Sequence, residues 1–300
     1  MTLRAGFSRL PPVLRGGLWM MSAAFSFTIM TALIREVGHQ IHPFEIAFFR
    51  TVTNLVLMLP FAWRAGRGVF RTSNHRIYAI RGLFGFAFLM TYFPGAALIP
   101  VSDAQALIFT SPLFATVLAV LFLGERLRPR RVTALVAGFV GALVILRPGV
   151  QEVSTGALLV IIGAMANATS NVIVRHTTRS DHPDMAVLYL MIYVTPMTLG
   201  PALFVWTMPT PLQALLMVGV GVFATLNQRC LSRAFHAAEA TAVLPFDFAR
   251  LPFAAVIGWL AFAEFPDIWV WVGGAIIFTA SVYLAHREAL ARRRDARDAR

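Results

Sequence analysis

Apolar residues run through this chain in blocks of about twenty, each closed by a short polar join. A helix of that length rises about 30 Å, the depth of the hydrocarbon layer of a bilayer. Ten blocks fall near residues 16–35, 44–63, 77–98, 103–123, 132–147, 156–175, 185–206, 212–233, 240–263 and 267–286. Glycine and proline punctuate the joins, as at Gly38, Pro43, Pro100, Pro129, Pro148, Pro183 and Pro209. Soluble helices keep one apolar face, so their sequences do not repeat such blocks from end to end. The pattern predicts an all-α integral membrane protein of ten transmembrane helices.

Composition agrees. Hydrophobic residues make up 58% of the 300, charged residues 13%, and the mean hydropathy is +0.70; soluble domains carry about a quarter charged residues. The net charge of +12 rests on 26 basic side chains, all arginine. No aromatic-interleaved basic face exists to track a phosphate backbone, which excludes nucleic acid as a partner. The arginines instead mark topology. One side of the ten-block bundle takes Arg4, Arg9 and Arg15, then Arg64, Arg67, Arg71 and Arg76, then Arg126, Arg128, Arg130 and Arg131. It also takes Arg175, Arg179, Arg233 and the tail 287–300, while the other side holds little beyond Arg35 and Arg147. The positive-inside rule then puts both termini in the cytoplasm. The first block follows basic residues like a signal sequence, but it lacks a small-residue cleavage site and ends at Arg35-Glu36, which predicts an uncleaved span.

The two halves of the chain echo one another. Phe114-Ala115, Val117-Leu118 and Leu123-Gly124-Glu125 parallel Phe253-Ala254, Val256-Ile257 and Phe262-Ala263-Glu264, with Pro112 or Pro252 close by in each case. Helices 1 and 6 both begin with glycine, Gly17 and Gly156, and end in arginine, Arg35 and Arg175. The expected domains are residues 16–147 and 156–286, each of five helices, followed by the basic tail 287–300. Five is odd, so the second copy sits inverted in the membrane. Inverted repeats commonly underlie alternating access, with substrate held near the midplane.

Several phrases resemble the EamA type of drug/metabolite transporter. They are His42-Pro43-Phe44-Glu45-Ile46-Ala47-Phe48-Phe49-Arg50, Arg81-Gly82, and Ser111-Pro112-Leu113-Phe114 through Gly124-Glu125-Arg126. Pro245-Phe246-Asp247-Phe248-Ala249-Arg250-Leu251-Pro252-Phe253 and Glu264-Phe265-Pro266-Asp267 complete the set. They look most like the branch with bacterial S-adenosylmethionine and riboflavin uptake carriers, and amino-acid exporters share the repeat. The resemblance implies a multi-pass protein of the bacterial inner (plasma) membrane, with a central cavity lined by helices 1, 3, 4, 6, 8 and 9. The substrate it implies is a small organic metabolite such as S-adenosylmethionine, riboflavin or an amino acid.

Polar residues inside apolar blocks face protein or water, because charge in hydrocarbon is costly. Arg250 and Asp247 lie three residues apart in block nine and share a face. They are candidates for substrate contact or proton coupling, and equally for an ion pair that fixes the helix. The other cavity candidates are Asn167 and Asn171 in helix 6, Tyr92 in helix 3, Gln105 and Thr110 in helix 4, and Asn227 and Gln228 in helix 8. A break in helix 3 is expected at Phe93-Pro94-Gly95. Structural or gating roles fall to Arg50, expected to reach the interface or pair with Glu45 or Glu36, and to Arg81, expected to snorkel to the cytoplasmic face. Glu125 and Glu264, which end matched helices, join them. The stripe Ala134, Gly138 and Ala142 permits close helix packing.

No G-x-S-x-G, H-E-x-x-H or Walker loop is present, so no enzyme activity and no ATP-driven transport is expected from this chain. Cys230 stands alone and the seven histidines fall in loops or helix ends, so neither a metal nor a cofactor is expected. The expected partners are a small-molecule substrate and the lipid bilayer, with a coupling proton or counter-substrate left open. The competing readings are a membrane-embedded enzyme acting on lipid, and a channel or structural subunit.

Overall fold

The computed structural model describes residues 11–65, 75–123, 129–147, 154–177, 183–238, 243–280 and 282–283. Among them the chain is helical, with no strand. The elements are α1 Pro12–Gly38, α2 Pro43–Ala65, α3 His75–Leu98, α4 Val101–Ile108, α5 Ser111–Leu123 and α6 Pro129–Leu146. After them come α7 Thr155–Thr177, α8 Pro183–Phe204, α9 Pro211–Ala237, the 3₁₀ turn Leu244–Ala249, and α10 Arg250–Phe262. The last is α11, Ile268–Ala280. Proline opens many of these helices, at the first helical position where its missing N–H costs nothing.

Among the described residues four helices are long and apolar enough to cross a bilayer on length and composition: Pro12–Gly38, His75–Leu98, Val187–Phe204 and Pro211–Ala237. Large apolar side chains also point outward along the bundle, among them Leu83, Leu98, Leu143, Leu203, Leu215 and Leu260. A soluble protein does not leave so continuous an apolar surface in water. Residues 66–74, 124–128 and 178–182, and the C-terminal 287–300, lie outside the described residues. So does Glu125, and so do the side chains of Ala134 and Asn171.

The helix contacts come in exchange-matched couples. Counting the broken pair α4–α5 as helix 4 and the 3₁₀ turn with α10 as helix 9, α1 against α9 is helix 1 on helix 8, and α3 against α7 is helix 3 on helix 6. Swapping halves turns one contact into the other. Likewise α1 meets the 3₁₀ turn and α10, while α7 meets α4 and α5. Helices 2 and 7 meet each other directly, as α2 and α8.

Glycines repeat the theme where backbones come closest. A Cβ on Gly141 of α6 would lie 2.8 Å from the carbonyl oxygen of Gly273 in α11, and one on Gly273 would lie 2.5 Å from that of Gly141. At the starts of helices 1 and 6, a Cβ on Gly16 would meet the Ala234 carbonyl at 3.3 Å and one on Gly156 that of Gly95 at 3.1 Å. Gly138 of the α6 stripe packs on Leu113, where a Cβ would fall inside the leucine side chain.

Two predicted spans are broken. Block four divides at Phe109-Thr110 into α4 and α5, and block nine is a 3₁₀ turn followed by α10. The cause is the matched prolines: Pro112 cannot donate to the carbonyl of Ile108, nor Pro252 to that of Phe248. Arg250 therefore stands at the start of an α-helix, not in the middle of one. The expected break at Pro94 is absent, and α3 runs through it to Leu98. One lost hydrogen bond does not end a helix held on both sides, and here α7 clamps α3 at Gly95.

Candidate functional site

The break in helix 9 places its charges. Side chains at i and i+3 eclipse in a 3₁₀ turn, so Asp247 and Arg250 stand one above the other, and Arg250 Nε donates to Asp247 Oδ1 at 2.8 Å. Their side chains are 12% and 15% exposed. The guanidinium lies 4.5 Å over the Phe27 ring of α1 and 5.8 Å from that of Phe109, the residue at the break in helix 4. Both breaks therefore meet at one pair of charges. Phe248 and Phe278 extend the wall behind Phe109, at 6.3 and 6.1 Å between centroids.

On the far side of Phe27 the rings continue to Tyr92 at 5.8 Å, with Phe88 stacked on Tyr92 at 5.0 Å and Phe93 at 6.3 Å. The Tyr92 hydroxyl is fully buried and lies 2.9 Å from Thr31 Oγ1. Gln105 Nε2 donates to the same Thr31 oxygen at 2.9 Å, and that oxygen is 3.0 Å from the Phe27 carbonyl. One assignment satisfies all three: Thr31 donates to the carbonyl and accepts from Gln105 and Tyr92. Tyr92 then keeps an acceptor lone pair, and Gln105 Oε1 has no partner among the described residues. Helices 1, 3 and 4 are thus joined by one buried polar knot beside the Arg250 ion pair.

The remaining candidates sit apart from this knot. Asn167 Nδ2 donates to Ser111 Oγ at 3.2 Å, tying α7 to the start of α5. Thr110 donates to the Leu107 carbonyl at 2.7 Å and closes the end of α4. Asn227 donates to the Ala23 carbonyl of α1 at 2.9 Å, with Gln228 half-buried next to it. The two asparagine bonds join helices, while that of Thr110 is local. Thr31, Phe27 and Phe109 were not among the expected residues; the spacing of Phe27 and Thr31, one turn apart on helix 1, is the signal that could have found the first two.

Arg50 and Arg81 depart from expectation. Arg50 pairs with neither Glu45 nor Glu36: Glu45 Oε1 instead accepts from the Thr207 backbone at 2.9 Å and its hydroxyl at 3.1 Å, while Glu36 is exposed. Arg81 is only 8% exposed, so it is enclosed by protein where snorkelling was expected.

Glu264 forms a two-point ion pair with Arg35, whose guanidinium also lies 4.9 Å over Phe262. Ala263, with φ 55°, ends α10 in the left-handed conformation and so aims Glu264 at α1. Arg147 Nη2 donates to Asp267 Oδ2 at 2.5 Å, and Gln213 Nε2 to Gln40 Oε1 at 2.7 Å. With Glu45–Thr207, these contacts gather where α1 finishes, and each joins the first half of the chain to the second.

Residues 14–147 and 154–285 each match the EamA-like transporter family. A riboflavin transporter of Rhizobium johnstonii is 31% identical over 284 residues, 94% of either chain. An S-adenosylmethionine uptake transporter of Rickettsia felis is 28% identical over 279 residues, 93% of this chain and 95% of its own. A solved crystal structure of another protein superposes with a TM-score of 0.63 over 93% of this chain and 98% of its own, at 18% identity, and so shares the fold.

Proposed function

This chain belongs to the EamA-like transporter family, and from that premise we propose that it carries a flat-ringed metabolite across the bacterial inner membrane, riboflavin being the first candidate and S-adenosylmethionine the second. The relatives named for these solutes cover nearly all of the chain. The observation that carries the reading is the centre of the bundle, where two broken helices meet at the Arg250–Asp247 pair and a row of phenylalanine and tyrosine rings runs alongside. Aromatic faces suit a planar ring, and a self-neutralised ion pair admits a neutral flavin without charge repulsion.

In this reading ten spans form two inverted halves, 16–147 and 156–286, with both termini and the tail 287–300 in the cytoplasm. The exchange-matched helix contacts support the symmetry. Transport is secondary, by alternating access, and the cross-half contacts around Arg35–Glu264 act as the gate on the outer face. Arg250 and Tyr92 touch the substrate, Asp247 holds Arg250, and Gln105 orders Tyr92 through Thr31. Asn167, Thr110, Asn227 and Gln228 hold the helices that frame the pocket.

The test is uptake of radiolabelled riboflavin by purified protein in liposomes, with S-adenosylmethionine run in parallel. Saturable uptake of one of them, accelerated by the same unlabelled solute inside, is expected. An unsaturable leak, or no flux of either, contradicts the proposal.

A further inference from the structure

Arg50 and Asn54 lie one turn apart on α2, so their side chains share a face. Arg50 is 7% exposed and Asn54 0%. Among the described residues Arg50 Nε has no hydrogen-bond partner, and neither does Asn54 Nδ2 or Oδ1. Among the described residues no carboxylate is paired with them: Glu45 is taken by Thr207, Glu36 is exposed, and Asp247 is held by Arg250. Buried polar groups in folded proteins are nearly always paired, and a buried charge without a partner is costly. Two such groups on one helix face are therefore not explained by the fold.

Their position links them to the central site. The Arg50 guanidinium lies 5.9 Å over Phe93. Phe93 adjoins Tyr92, Tyr92 adjoins Phe27, and Phe27 lies under Arg250. A row of three rings thus has an arginine at each end. One arginine is neutralised by Asp247, and the other has an unpartnered carboxamide beside it.

We propose that Arg50 and Asn54 form a second, polar subsite for the transported solute, one that takes an oxygen acceptor lying next to an N–H donor. The guanidinium can only donate, while the carboxamide both donates and accepts. Two solute groups present the matching pattern: the imide edge of a flavin, and the carboxylate and ammonium of an α-amino acid head. The subsite rests on the transport reading above, and it brings helix 2 into a site that the family resemblance confines to helices 1, 3, 4, 6, 8 and 9.

Binding to the purified full-length protein in nanodiscs tests it, with four probes: riboflavin, N3-methylriboflavin, S-adenosylmethionine and its decarboxylated analogue. Wild type is expected to bind one parent about tenfold more tightly than its blocked analogue, the worth of one or two hydrogen bonds. The affected pair identifies the source, flavin imide or amino-acid head. For the flavin pair Asn54→Ala, which removes the acceptor for the imide N–H, is expected to erase that discrimination; for the S-adenosylmethionine pair Arg50→Gln, which removes the charged donor to the carboxylate, is expected to erase it and Arg50→Lys to keep part of it. Equal binding of parent and analogue by wild type overturns the subsite, as does undiminished discrimination by Asn54→Ala for the flavin pair or by Arg50→Gln for the S-adenosylmethionine pair. Binding of neither parent removes the transport premise and the subsite with it. A ligand-free measurement stands apart from these: Asn54→Leu is expected to raise the unfolding temperature by removing an unpaired amide, and a fall would show that the amide is already satisfied within the protein and overturn the proposal.

Discussion

Arg250 and Asp247 neutralise one another where the 3₁₀ turn meets α10, so removing either leaves the other charged in an apolar interior. Losing one member of a buried pair costs about 3–5 kcal/mol, whereas losing both is far milder. Arg250→Ala is therefore expected to unfold at a lower temperature than the Asp247→Ala/Arg250→Ala double variant, as read by thermal unfolding in detergent. Neither is expected to transport if, as proposed, Arg250 also touches the solute. A stable double variant with wild-type flux would reduce the pair to a structural link. At this scale the sequence was informative about identity and weak about partnership. The spacing of Asp247 and Arg250 announced their bond, since it is local. Glu45 was within reach of Arg50 on paper, yet it bonds to Thr207, which lies 162 residues away in the chain, and no local pattern reveals that. Thr31 and Asn54 were passed over because a single small polar residue in an apolar block looks like any helix-packing residue until its neighbours are known.

Matched prolines define the elements that matter. Pro112 and Pro252 interrupt the fourth and ninth helices at equivalent places, and Phe109 and Arg250 occupy the breaks. Replacing a helix-interrupting proline by alanine restores a donor and removes a ring clash worth about 3 kcal/mol in a helix interior. Pro112→Ala and Pro252→Ala are each expected to raise thermal stability and to slow riboflavin or S-adenosylmethionine uptake, measured side by side in the same preparations. Unchanged uptake with continuous helices would show that the breaks serve packing alone. The helices themselves were legible to within a few residues because hydrocarbon demands long apolar runs. The breaks were not. Proline announces a missing donor at Pro94 as loudly as at Pro112, and only the tertiary neighbours decide which helix runs on. Gly95 against α7 carries α3 through its proline.

For the whole molecule, the exchange of contacts between halves sets what can move. Helices 1 and 8 pair as 6 and 3 do, and Gly141 meets Gly273 across the same symmetry. If the halves are inverted, as proposed, they offer a structure open to one side and its counterpart open to the other. The polar contacts where α1 finishes, with Arg35–Glu264 at their centre, tie the halves together at that end and must part if solute is to pass there. A reversible cross-link at this point tests alternating access most directly. Arg35→Cys and Glu264→Cys, in a Cys230→Ser background that leaves no other thiol, would be oxidised in liposomes and assayed for uptake before and after reduction. Flux is expected to vanish on oxidation and to return on reduction. Undiminished flux through the oxidised, fully cross-linked protein would contradict the account.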